Sequence, residues 1–219
     1  MDALDAIRKR RSVRQFTDRP VSDEDLDELL RLALLAPTGG MQQAWSILVV
    51  RDPEKRAALA EMVMRGGAEY FRIARPPAAN TSPDDHATWA RGYAETALGT
   101  YPDVPVWLLC LRVPRNSYPT VEDPRFERDA DITSVAFMLE NLMIAARAKG
   151  LGTVPTVFQL FVEDEVRALF GLPDEVEMPL LTPLGYPLQF PEGLPPALAA
   201  IRRPWRTLVH DDRWGATRA

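Results

Sequence analysis

The 219-residue chain has one cysteine, two histidines and three lysines. A lone Cys110 excludes an internal disulfide framework and points to a reducing, cytoplasmic setting. His86 and His210, with that single thiol, are too few for a dedicated zinc centre, so no metal is expected. Long apolar runs are lacking as well. The longest uncharged stretch, residues 32–50, has 19 residues, but it contains Pro37, Gly39, Gly40, Gln42 and Gln43. It reads as helix end, loop and strand, and no membrane span is expected. The opening MDALDAIRKRRS offers no apolar segment of the kind a secretory signal needs. There is no internal repeat, P-loop, HExxH or GxSxG. The element Gly150-Leu151-Gly152 runs on to Pro155 where a dinucleotide fingerprint wants glycine, which removes the main sign of a Rossmann fold.

What is present is arginine, which supplies 23 of the 26 basic residues. The net charge of -5 is unevenly spread: residues 1–20 and 202–219 each carry +3, and residues 21–201 carry -11. A planar guanidinium matches phosphate and carboxylate better than a lysine ammonium does. Two basic ends on an acidic body point to a small anionic ligand, not to a nucleic-acid track, which needs a broad basic face.

The pattern of elements is mixed, and it gives one α+β domain over residues 1–219. A short helix over 3–10 places Leu4 and Ile7 on one face. Ser22 caps a second helix with Asp23, Glu24 and Asp25 in its first turn, and Leu26, Leu29, Leu30, Ala33 and Leu34 form a stripe expected to be buried. Residues 46–50 read as a buried strand, and Asp52-Pro53 opens the next helix. The run 104–113 (VPVWLLCLRV) is too continuously apolar for a strand with a solvated face. Asp131 or Thr133 is expected to cap a long helix bearing Val135, Leu139, Leu142, Met143 and Ala146 and stopped by Gly150. Residues 163–170 form a shorter helix with Gly171 after its end, and 179–186 form another strand. Residues 64–103 show no clear pattern, with Tyr70, Phe71, Trp89, Tyr93 and Tyr101 scattered among Gly, Pro, Asn and Asp.

Four segments, in order, resemble the nitroreductase family of FMN enzymes. Arg10-Arg11-Ser12-Val13-Arg14, after a short first helix, is similar to the family's phosphate-binding signature. Residues 36–45, APTGGMQQAW, are similar to its helix-to-strand loop, usually close to APSxGNxQPW. Residues 150–156, GLGTVPT, after a long helix, are similar to the stretch that runs along the flavin ring. Arg202-Arg203-Pro204, after Leu184-Gly185-Tyr186-Pro187, resembles its C-terminal phosphate clamp. The stretch 209–215, VHDDRWG, is like one branch of the family. The resemblance covers about residues 1–63 and 104–215 and leaves 64–103 as the variable, substrate-shaping part, whose aromatics are candidates for a lid.

That resemblance implies a mainly antiparallel central sheet flanked by helices in an intertwined homodimer, with FMN between the subunits and residues 202–219 reaching toward the partner. It implies cofactor contacts from Arg10, Arg11, Ser12, Arg14, Pro37, Thr38, Gly40, Met41, Gln43, Pro155, Thr156, Val157, Arg202 and Arg203. The chemistry lies on FMN N5, so no catalytic side chain is required. Pro155 has no N–H, and the donor near N5 falls to the backbone of Thr156 or Val157. NADH or NADPH delivers hydride, leaves, and is replaced by a nitroaromatic, quinone or similar small conjugated acceptor. Met41 stands where the family commonly has an asparagine, so Gln42 or Gln43 is left to serve that edge of the ring, and Ala44 replaces a proline. Three other readings stay open: a flavin-fragmenting relative, a dehalogenating relative, and a non-catalytic flavin or deazaflavin carrier.

Overall fold

The computed structural model describes residues 1–116 and 123–218. Five helices start the same way, each with an Asp or Ser side chain accepting a backbone N–H: Asp2 for α1 (Ala3–Lys9), Ser22 for α2 (Asp23–Ala33), Asp52 for α3 (Pro53–Ala74), Ser82 for α4 (Pro83–Leu98) and Asp123 for α5 (Pro124–Ala148). Such caps satisfy donors that the helix cannot, and proline follows at the first turn of α3, α4 and α5, where no N–H is needed. α6 (Glu163–Phe170) ends on Gly171 at φ 62°, a left-handed position suited to glycine. α7 (Pro196–Ala200) is a short exposed turn of helix.

The sheet has four antiparallel strands in the order β1 (Trp45–Val50), β2 (Val106–Arg112), β4 (Glu177–Gly185), β3 (Gly152–Thr153). β2 is buried on both faces. Its alternate residues feed two hydrophobic clusters: Trp107, Leu109 and Leu111 pack with Leu59 and Val63 of α3, and Val106, Leu108 and Cys110 pack with Leu26, Leu29, Leu139 and Leu142 of α2 and α5. This two-sided burial explains the unbroken apolar run in the sequence. The Cys110 thiol is pushed up to about 12 by that burial, which keeps it protonated and inert.

Several expectations are corrected. α5 begins at Asp123-Pro124, eight residues before Asp131; Asp131 lies inside the helix, 4% exposed, accepting from Arg112 Nε at 3.0 Å, and Thr133 bonds back to the Asp129 carbonyl. β1 is an edge strand and only half-buried. The stripe of α2 holds for Leu26, Leu29 and Ala33, but Leu34 is exposed. Leu4 and Ile7 of α1 are also exposed, with Ala6 as the buried residue. Residues 64–103 are mostly helical, the end of α3 and all of α4. α3 runs so close to its neighbours that a Cβ on Gly66 would lie 2.0 Å from the Phe158 carbonyl oxygen.

Among the described residues no helix is long and apolar enough to cross a membrane, and no cluster of three His, Cys, Asp or Glu residues has metal-binding geometry.

Candidate functional site

The end of α1 passes directly into the sheet. Arg10 caps α1, Ser12 pairs in parallel with Thr153, and the Val13 N–H donates to the Thr153 carbonyl at 3.0 Å. This crossing requires glycine at position 152, since a Cβ there would meet the Val13 side chain at 2.8 Å. Gly150, at φ 79°, turns the chain out of α5 toward the same place, and the Leu151 N–H closes the turn on the Ala146 carbonyl. The basic segment and the glycine segment, some 140 residues apart, therefore lie side by side.

Against them stands the chain's other basic end. An open cleft of about 630 Å³ is lined by Arg10, Arg11, Ser12 and Arg14 on one wall, and by residues 191–195, Leu198 and Arg202 on the other. Arg202, the first residue of the second basic end, thus meets three arginines of the first. One carboxylate pairs with these arginines: Glu140 of α5 faces Arg10 Nε at 3.4 Å. Glu192 also lines the cleft but forms no ion pair among the described residues. Arg11 donates to the carbonyls of Arg8 and Arg10, and its Nε is buried with no partner. A buried cationic donor without an acceptor is costly unless a ligand supplies one. The cleft therefore suits a compact anion with several acceptor oxygens, and a phosphate monoester, with about -1.5 to -2 charges at neutral pH, fits that description.

The remaining sequence-derived residues divide. Pro155 and Val157 are exposed, and Thr156 is buried. The Thr156 N–H is already committed to the Leu181 carbonyl at 2.9 Å, and the Leu181 N–H returns to the Thr156 carbonyl at 3.2 Å. Of the two candidate donors beyond Pro155, Val157 is the one whose N–H has no partner among the described residues. Arg203 does not line the cleft; its guanidinium donates to the Thr207 carbonyl at 3.1 Å.

Residues 37–43 are also elsewhere. They form a short 3-10 turn over Gly39–Met41, in which the Gln43 N–H donates to the Thr38 hydroxyl at 3.1 Å. Gly40, Met41 and Gln43 all have φ near +50°, and Met41 is 73% exposed. None of residues 37–43 lines the arginine cleft; Gln43 lines a separate cavity with Trp45, Ile47 and Arg115.

The aromatics of 64–103 also part company. Tyr101 is core, edge-on to Trp107 with ring centroids 5.1 Å apart, so it forms no lid. Tyr70 packs on Phe158, the residue after Val157, at 5.2 Å, while Phe71, Tyr93 and Trp89 continue the cluster outward. Sequence reasoning missed the second wall, residues 191–195, and the α5 residue Glu140. The wall is an exposed Pro/Gly-rich stretch with no periodicity, and nothing in the local pattern marks Glu140.

The family model named Nitroreductase family matches residues 7–186. The chain belongs to the nitroreductase family. Its α+β architecture, helices around an antiparallel sheet, is that of the family's solved members. A protein named NADH dehydrogenase from Thermus thermophilus is 31% identical over 216 residues, covering 89% of this chain and 90% of that protein. An iodotyrosine deiodinase from Thermotoga neapolitana is 27% identical over 183 residues, covering 84% and 87%. The NADPH:FMN oxidoreductase of Vibrio harveyi, solved in complex with NAD+, superposes with a TM-score of 0.70 at 24% identity, covering 97% of this chain and 77% of that one. This nitroreductase-family chain is accordingly an enzyme of the oxidoreductase class.

Proposed function

We propose that the protein is an FMN-dependent NAD(P)H oxidoreductase that reduces nitroaromatic, quinone or similar small conjugated acceptors. The observation that carries this reading is the cleft in which Arg10, Arg11, Ser12, Arg14 and Arg202 converge, next to Gly152 and Thr153. Arg10, Arg14 and Arg202 hold the FMN phosphate through charge-assisted, partly bidentate bonds, and Ser12 adds a hydroxyl. The free N–H of Val157 is the donor for the ring edge, where it favours the charge that grows on reduction. Pro155, the exposed Tyr70 and the half-buried Phe158 offer flat apolar surface for the ring and for an acceptor above it. When bound, FMN supplies the two-electron redox chemistry, which is why no nucleophile or acid–base pair of this chain is needed.

A homodimer completes the site. Residues 37–43 lie outside the cleft of their own chain, and the exposed Leu4, Ile7, Phe137, Trp205 and Leu208 are apolar surface of the kind a partner subunit covers. In that arrangement the 37–43 loop of one protomer serves the arginine cleft of the other, and residues 202–218 reach across. The lone reduced thiol fits a cytoplasmic setting.

The test is the visible spectrum of the purified protein before and after anaerobic NADPH, then NADH. The expected result is a flavin band that bleaches and is restored by a nitroaromatic or quinone. A flavin band that both nicotinamides leave untouched would replace this reading with a carrier role, and a colourless protein that FMN cannot reconstitute would remove it. A second reading, reductive dehalogenation, follows from the 27% identity to iodotyrosine deiodinase over most of both chains. Halide release from a halophenol under reducing conditions, with no turnover of quinones, would favour it.

A further inference from the structure

Arg147 is not part of the cleft's lining, yet it touches the residue that leads into each of its walls. Its Nε donates at 3.2 Å to the carbonyl of Lys9, the residue just before Arg10. Its guanidinium lies 3.7 Å over the ring of Phe190, the residue just before the 191–195 wall. Glu140, which faces Arg10, comes seven residues earlier on α5, hence two turns away on the same helix face. One face of α5 therefore holds the backbone just before the first wall, an arginine of that wall, and the ring just before the second. A planar guanidinium can donate in its plane while stacking an aromatic ring on its face; an ammonium cannot do both in this geometry. The position of the ring also matters. Leu188 is tied by its N–H to the Gln15 carbonyl at 3.1 Å, and after Phe190 residues 191–196 are exposed, as is Arg202.

We propose that Arg147 is a positioning residue that sets the spacing between Arg10–Arg14 and Arg202, and thereby the grip of the cleft on a phosphate monoester. This rests on the reading of the cleft as the FMN phosphate site. Arg147 does not line the cleft; it acts through Lys9 and Phe190.

The test equilibrates the full-length protein with an equimolar mixture of FMN and riboflavin, removes unbound flavin, and counts the two bound species. Riboflavin has the same ring without the phosphate. The wild type retains FMN in large excess. Arg147→Ala and, separately, Phe190→Leu each lower the FMN-to-riboflavin ratio about tenfold. The double variant falls no further than the worse single one, because both act through one contact. Arg147→Lys restores only part of the ratio. A merely structural role would weaken both flavins alike and leave the ratio at its wild-type value, and that result in Arg147→Ala or Phe190→Leu overturns the positioning role. Equal retention of both flavins by the wild type would instead overturn the phosphate reading beneath it.

Discussion

Arg112 and the arginines of the cleft are the same residue in opposite circumstances. Arg112, 8% exposed at the end of β2, gives its Nε to Asp131 at 3.0 Å and an Nη to Glu177 at 2.6 Å, while Arg128 takes the other Glu177 oxygen at 2.8 Å. Every charge there is spent on another element of the fold, tying β2, α5 and β4 together. Of the four arginines lining the cleft only Arg10 pairs with a carboxylate among the described residues, Glu140 at 3.4 Å, and the buried Arg11 Nε has no partner among them. A guanidinium enclosed by carboxylates builds structure; guanidiniums gathered without them wait for an anion from outside.

The sharpest way to break that contrast is to remove Arg112. Arg112→Ala leaves Asp131 buried and unpaired, and should lower the unfolding free energy by about 3–5 kcal/mol in a urea titration. The folded fraction should keep its flavin. Loss of flavin from folded Arg112→Ala would erase the distinction between the two groups.

Acid gives a second, smaller test. Burial pushes the Glu177 carboxyl upward, but the bonds from Arg128 and Arg112 outweigh it and hold the group below the usual carboxylate range. A carboxylate lowered in this way stabilises the fold above its unfolded value of about 4.3, and the gain is lost as pH falls through the native value. Glu177→Gln should therefore cost on the order of 1–2 kcal/mol at pH 7 and progressively less as the pH is lowered from 5 toward 3. Asp131 moves the other way, raised by burial against the pull of Arg112, so its own acid response opposes that of Glu177. A wild type-to-variant gap that stays constant over this range would mean that the Glu177 charge contributes nothing.

The smallest effect concerns the loop outside the cleft. Met41 sits at φ 57°, where an unbranched apolar side chain is disfavoured and asparagine is tolerated. Met41→Asn should raise stability by about 0.5–1 kcal/mol through the backbone alone, seen in thermal unfolding of the flavin-free protein. If the flavin's reduction potential shifts as well, the loop reaches the ring; an unchanged potential would keep residue 41 away from it.

Much of this layout was legible in the sequence, and the failures share a cause. α2 and α6 announce themselves through an N-cap or a closing glycine around an apolar stripe, and β2 through seven buried residues in a row. The RRSVR segment and Arg202, both legible in the sequence, line the cleft, and the GLGT segment lies next to RRSVR. The second half of α3 and all of α4 stayed hidden because several of their contact residues are small. α3 meets Phe158 through Gly66 and Leu98 through Gly67, and α4 turns Ala90 and Ala94 inward, so close approach replaces the periodic large side chains that reveal a helix. The start of α5 carries the same Asp-Pro signal as α3, but the charged stretch behind it concealed that Asp131 is an interior residue paired with Arg112. The placement of Arg203 and of the 37–43 loop depends on tertiary path, which local pattern does not carry.

The central claim, that the two ends of the chain jointly hold the cofactor's phosphate, is tested most directly by replacing Arg14 and Arg202 together with alanine. The account expects a protein with unchanged circular dichroism that loses FMN on purification, its affinity reduced at least about a hundredfold. FMN retained at one per chain in the folded double variant would contradict it.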